Sequence, residues 1–175
     1  MTVPAAQARI SLSALNSLSR DEFTLRFGGV LEHSPHFAER AAEARPFASL
    51  DELHAAFIAA IRQASEAEQL ALLLAHPDLA DRLIKLTAAS NREQTSAGLD
   101  TLTSEELAEF QKTNTAYRER FGFPFIICAR LNSKDTILAA FRTRLANLRA
   151  TEFQTALGEV AKIARLRLAD LVSDS

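Results

Sequence analysis

The chain has 175 residues, 47% hydrophobic and 24% charged, with a net charge of −2. That length suits a single domain, 1–175, with a sizeable core, and the charge offers no general basic field for nucleic acid or an anionic membrane. No apolar run reaches the roughly 20 residues that span a bilayer. Met1 to Ile10 lacks a basic start and an apolar core, so it does not read as a signal peptide. Cys128 is the single cysteine, which excludes an internal disulfide and suits a reducing, cytoplasmic setting.

Alanine and leucine dominate, with only five glycines and five prolines, a helical composition. Residues 1–9 read as a flexible tail. Helix starts then follow as Ser/Thr-x-x-Glu/Gln boxes at Ser19–Glu22, Ser49–Glu52, Ser65–Glu68, Ser90–Glu93, Thr103–Glu106 and Thr151–Gln154, where hydroxyl and acid or amide satisfy first-turn N–H groups reciprocally. Pro46 and Pro77 disfavour helix at the residue before them. Gly98 and Gly122 stand where a left-handed C-terminal residue is wanted. Leu53, Phe57, Ile58 and Ile61 form one apolar stripe at helical spacing. Leu107, Phe110 and Tyr117 form a second, and Ile137, Phe141, Leu145 and Leu148 a third. Phe153, Leu157, Val160 and Ala164, flanked by Ile163 and Leu171, form the last. The fold expected is an all-α bundle of seven to nine helices. "FGFPFIICAR", Phe121 to Arg130, has no helical period and contains Pro124. It reads as an extended buried segment near 123–129, whose peptide groups need side-chain, water or ligand partners.

Three segments carry candidate chemistry. In "LALLLAHPDLADRL", Pro77 can serve simply as the first residue of a new helix, with Asp78 in its first turn. The same geometry aims His76, the side chain best suited to proton transfer near neutral pH. In Ser90-Asn91-Arg92-Glu93-Gln94 a capping box doubles as a compact set of donors and acceptors at a helix N-terminus, where anions are favoured. In "KIARLRLADL", Arg165 and Arg167 face different sides of a helix. Either the face is solvated, or one arginine turns inward and needs an anion. His33 and His36 around Pro35 lack the companions of a metal site, so no metal is expected. Cys128 reads as a small core residue.

"FGGVLEHSPHFAERAAEARPF", "LLLAHPDLA", "SNREQTSAGLDTL", "FQKTNTAYRERFGFPFIICAR" and "ALGEVAKIARLRLADL" occur in this order. Together they resemble the 2-oxo-4-hydroxy-4-carboxy-5-ureidoimidazoline (OHCU) decarboxylases of urate breakdown, from about Leu15 to Leu171. The stretch after His76, "PDLADRLIKLTAA", is shorter than in many members and lacks their glycine. The resemblance implies an all-α homodimer without metal or organic cofactor, acting on OHCU. It implies His76 and Glu93 as catalytic residues. Pro77, Ser90, Glu93, Gln94, Arg167 and the backbone of Phe125, Ile126, Ile127, Cys128 and Ala129 would bind substrate. The alternative is a non-catalytic helical ligand-binding or regulatory module, with a filled core and no polar pocket beside His76. Neither reading involves nucleic acid or a membrane.

Overall fold

The computed structural model describes residues 8–79 and 102–173. Among these, eight α-helices and two very short strands make an all-α fold. In order they are β1 (Ile10–Ser11), α1 (Leu12–Asn16), α2 (Arg20–Phe27), α3 (His36–Ala42), α4 (Leu50–Gln63) and α5 (Glu66–Ala75). Then come α6 (Ser104–Phe121), a 3-10 turn (Ala129–Leu131), α7 (Lys134–Leu145), α8 (Arg149–Leu171) and β2 (Val172–Ser173). No helix among the described residues is long and apolar enough to cross a membrane. The chain divides into two compact units: residues up to Leu72 with those from Ala161, and Leu73 to Val160.

In the first unit, α2 packs on α3 and α3 on α4. Leu15, Phe23, Phe27, Leu31, Phe37 and Phe57 are almost wholly buried there. Gly28 ends α2 where a Cβ would lie 2.5 Å from the Thr24 carbonyl oxygen, so only glycine lets the turn close. Asn16 makes a two-point bond to Phe47, with its Nδ2 donating to the carbonyl at 2.8 Å and its Oδ1 accepting from the N–H at 2.8 Å. β1 pairs in parallel with β2, Ile10 beside Val172 and Ser11 beside Ser173. Arg9 donates from Nε and Nη2 to the Val172 carbonyl at 3.0 and 2.7 Å. Arg9, expected in a flexible tail, is thus fastened by a charge-assisted pair of bonds.

The second unit is built on aromatic packing. Tyr117 meets Phe123, Phe125 and Phe141 edge-on at 6.0, 5.1 and 6.3 Å, the geometry aromatic quadrupoles favour. Phe110, Phe121 and Phe153 are buried around them. The expected extended segment is present: residues 123–128 are neither helix nor strand, and Phe123, Phe125, Ile126 and Cys128 are buried. Ala129 is not part of it, because it opens the 3-10 turn.

Caps follow the sequence at Ser19, Ser65 and Thr103, where hydroxyl and glutamate bond reciprocally. At Ser49 only half the box forms, since Glu52 accepts from the Ala48 N–H instead. Thr151 starts nothing: α8 has already begun at Arg149, and the Leu148 carbonyl accepts from the Glu152 N–H. Leu148, expected in the third stripe, lies beyond the end of α7 and is 75% exposed. Buried Arg144 faces inward from that helix instead. Gly122 closes α6 at φ 79°, as expected. Ser90–Glu93 and Gly98 lie outside the described residues.

Candidate active site

α5 ends at Ala75, and the His76 N–H turns back to the Leu73 carbonyl at 3.2 Å. His76 is then 6% exposed and Asp78 7%, with Pro77 exposed between them. Pro77 does not begin the next helix. It and Asp78 form an irregular turn. A carboxylate buried to that degree needs a partner. Arg118, one turn from the end of α6, supplies it, with Nη1 on Asp78 Oδ2 at 2.8 Å. The stop that ends the leucine run is therefore braced from a distant helix, and the brace holds the residue two after His76.

The extended segment in the same unit is held by buried charges. Arg144 donates to the Ile126 carbonyl at 2.7 Å, and the Cys128 N–H donates to Glu159 Oε2 at 2.8 Å. Arg144 also lies over the Phe125 ring, 4.4 Å from its centroid, and bonds Glu152 Oε1 through Nε at 2.6 Å. Glu152 takes further donors from the Tyr117 hydroxyl at 2.5 Å and Asn147 Nδ2 at 2.9 Å. Burial, with the Glu152 bond second, pushes the Tyr117 hydroxyl far above its ordinary pKa. Burial, and next the Glu159 charge, pushes the Cys128 thiol up as well. A thiol so placed is disfavoured as a nucleophile and packs as a core residue, as expected. Two of the peptide groups expected to face a ligand, the Ile126 carbonyl and the Cys128 N–H, thus already have side-chain partners.

Arg165 and Arg167 belong to the first unit. Arg165 pairs with exposed Asp51 at 2.9 Å. Arg167 turns toward the Gly28–Pro35 loop, where Nη1 bonds the Val30 carbonyl at 3.0 Å and Nη2 bonds Glu32 at 2.6 Å. The anion an inward arginine requires is therefore Glu32, which sequence reasoning did not single out. Its signal was there: an acid inside the apolar run "GGVLEH", in one of the segments that carry the resemblance. His33 in that loop adopts a left-handed φ of 46°. A cleft of about 730 Å³ in this unit is lined by Arg20, His36, Glu39, Arg40 and Glu43. Its charges neutralise one another, Arg20 lying 3.8 Å from Glu39 and 3.5 Å from Glu43, and it holds none of the expected site residues. Among the described residues no cluster of three or more His, Cys, Asp or Glu side chains could hold a metal ion. Ser90, Glu93 and Gln94 lie outside the described residues, while His76, Pro77 and residues 125–129 share one unit.

The model of the OHCU decarboxylase family matches residues 16–169. The chain belongs to the OHCU decarboxylase family. A 2-oxo-4-hydroxy-4-carboxy-5-ureidoimidazoline decarboxylase of Haloferax volcanii is 48% identical over 164 residues, covering 94% of this chain and 97% of that one. Among solved structures, an (S)-allantoin synthase superposes with a TM-score of 0.78 at 32% identity, over 94% of this chain and 54% of the other. An OHCU decarboxylase crystallised in the presence of (S)-allantoin gives a TM-score of 0.67 at 26% identity, over 88% and 99%. The short segments that resemble the decarboxylase family thus belong to a likeness that runs through nearly the whole chain.

Proposed function

We propose that the chain decarboxylates OHCU to (S)-allantoin in urate breakdown, acting as one domain over its full length. The observation that carries this reading is the buried, braced His76 turn within a chain that matches decarboxylases almost end to end. In OHCU one ring carbon carries both carboxylate and hydroxyl, and its neighbour is an imine carbon bearing the ureido group. When CO2 leaves, its electron pair moves into the bond between these carbons as the imine nitrogen takes up a proton. The imine is the electron sink, so the chemistry demands no pyridoxal, thiamine or metal. The resulting enol is protonated on one face of the ureido-bearing carbon, which gives (S)-allantoin.

His76 orients the hydroxy-carboxylate centre and serves as general acid/base. Pro77 and the Arg118–Asp78 pair restrict the turn that carries it. Glu93 accepts from ring or ureido N–H groups, with Ser90 and Gln94 completing the polar wall. Arg167, already fixed by Glu32 and the Val30 carbonyl, offers a remaining N–H to a carbonyl or carboxylate oxygen. The main chain of Phe125 to Ala129 holds the flat ring, and Arg144 and Glu159 fix that main chain. Fixed dipoles in a water-excluding pocket are the means of selecting one face. We assign the working form to a homodimer in the cytoplasm.

The test is His76→Ala on freshly generated OHCU, followed by circular dichroism of the product. Loss of a positioned acid/base lowers the rate by about 10²–10⁴-fold. Formation of (S)-allantoin at the wild-type rate would remove His76 from the chemistry.

A further inference from the structure

Asn114 sits on the buried stripe of α6, between Phe110 and Tyr117, and is 6% exposed. Its Oδ1 is fully buried and makes no hydrogen bond. The two polar side chains about one turn on, at positions i+3 and i+4, are both engaged, Tyr117 with Glu152 and Arg118 with Asp78. An acceptor left unmade in a core is costly, and an apolar side chain of similar size would pack there without that cost. The buried amide therefore asks for a function.

Helical geometry says what surrounds it. At about 100° per residue, Tyr117 lies roughly 60° to one side of Asn114 and Arg118 roughly 40° to the other. Tyr117 touches Phe125 of the extended segment, ring to ring at 5.1 Å. Arg118 holds the His76-Pro77-Asp78 turn. Helical side chains lean toward the N-terminus, so the Arg118 guanidinium, and with it Asp78, lies over the turn that carries Asn114. The amide thus stands between the two features expected to hold substrate, and bonds to neither.

We infer that Asn114 is a substrate-binding residue whose side-chain amide pairs with the ureido arm. This rests on the function proposed above. The chemistry matches: a primary amide offers an acceptor and two donors, and a ureido group presents the complementary N–H and C=O side by side. A carboxylate would be bound better by a cation, so the amide selects the neutral end of the molecule.

The experiment compares wild type with Asn114→Leu and Asn114→Ala. It reads the melting temperature, kcat and KM on freshly generated OHCU, and (S)-allantoin binding by calorimetry. Asn114→Leu should melt at or above the wild-type temperature, because it removes an unmade acceptor. KM should rise about 10- to 100-fold, the range for a lost ligand hydrogen bond, with kcat changed much less, and allantoin binding should weaken in parallel. A lower melting temperature in both variants makes the amide structural, and unchanged KM with unchanged allantoin affinity makes it a bystander. Either result overturns the inference. If wild type binds allantoin but does not turn over OHCU, the proposed reaction fails, while loss of allantoin binding in Asn114→Leu still supports the ureido contact.

Discussion

Glu152 has no exposed surface and accepts from Tyr117, Arg144 and Asn147. Removing it would leave the Arg144 guanidinium buried without its charge partner. Glu152→Ala should therefore cost about 3–5 kcal/mol in urea unfolding, the usual range for breaking a buried pair. Tyr117→Phe deletes only one bond to a charged acceptor and should cost about 1.5–3 kcal/mol. Neither role could be read from the sequence. Glu152 looks like any surface acid near a helix start, and its partners lie 5, 8 and 35 positions away. Arg144 was likewise hidden, one residue before the leucine assigned to the apolar stripe. His76 was legible because a proline and an acid beside it mark a built turn. The Arg118 that braces Asp78 was not, because it comes from another helix.

Helix boundaries were legible wherever side-chain chemistry sets them. Ser19, Ser65 and Thr103 cap as written, and Gly122 takes the left-handed conformation its position demands. The failures have local causes. Ser133 caps α7 with Thr136 as its reciprocal partner, a pairing that a search for an acid or amide passes over. Thr151 belongs to a helix that started two residues earlier, without needing it. Two glycines separate conformational need from space. Gly122 has φ 79° and open space for a Cβ, so Gly122→Ala should cost about 1–2 kcal/mol from backbone strain alone. Gly158 lies inside α8, also with open space, so Gly158→Ala should gain about 0.5–1 kcal/mol. Thermal unfolding of the two variants should shift in opposite directions.

Across the whole molecule, the caps predict a response to acid. Glu22, Glu68 and Glu106 have pKa values below the usual 4.5, in each case chiefly because the cap residue's backbone N–H bonds the carboxylate. Arg40 assists at Glu68, which falls to about 2. A group lower in the folded than in the unfolded chain contributes stability above its unfolded value and loses it as pH falls through the folded one. Relative to a triple Glu→Gln variant, wild type should therefore be more stable at pH 7. The gap should narrow below about pH 4.5 and close near pH 2, as melting temperatures against pH would reveal. The all-α class was legible from composition and caps, because both act within a few residues. The division into two compact units was not, since it depends on which distant segments meet.

The pairing of Ile10 with Val172 has a consequence for how the domain can be carried. The first and last strands lie side by side, about 5 Å apart at neighbouring-strand spacing. A short peptide could join them and the chain could be opened elsewhere, giving a circular permutant with the same interior. By the same geometry the domain can be spliced into a host loop whose two ends already lie close together.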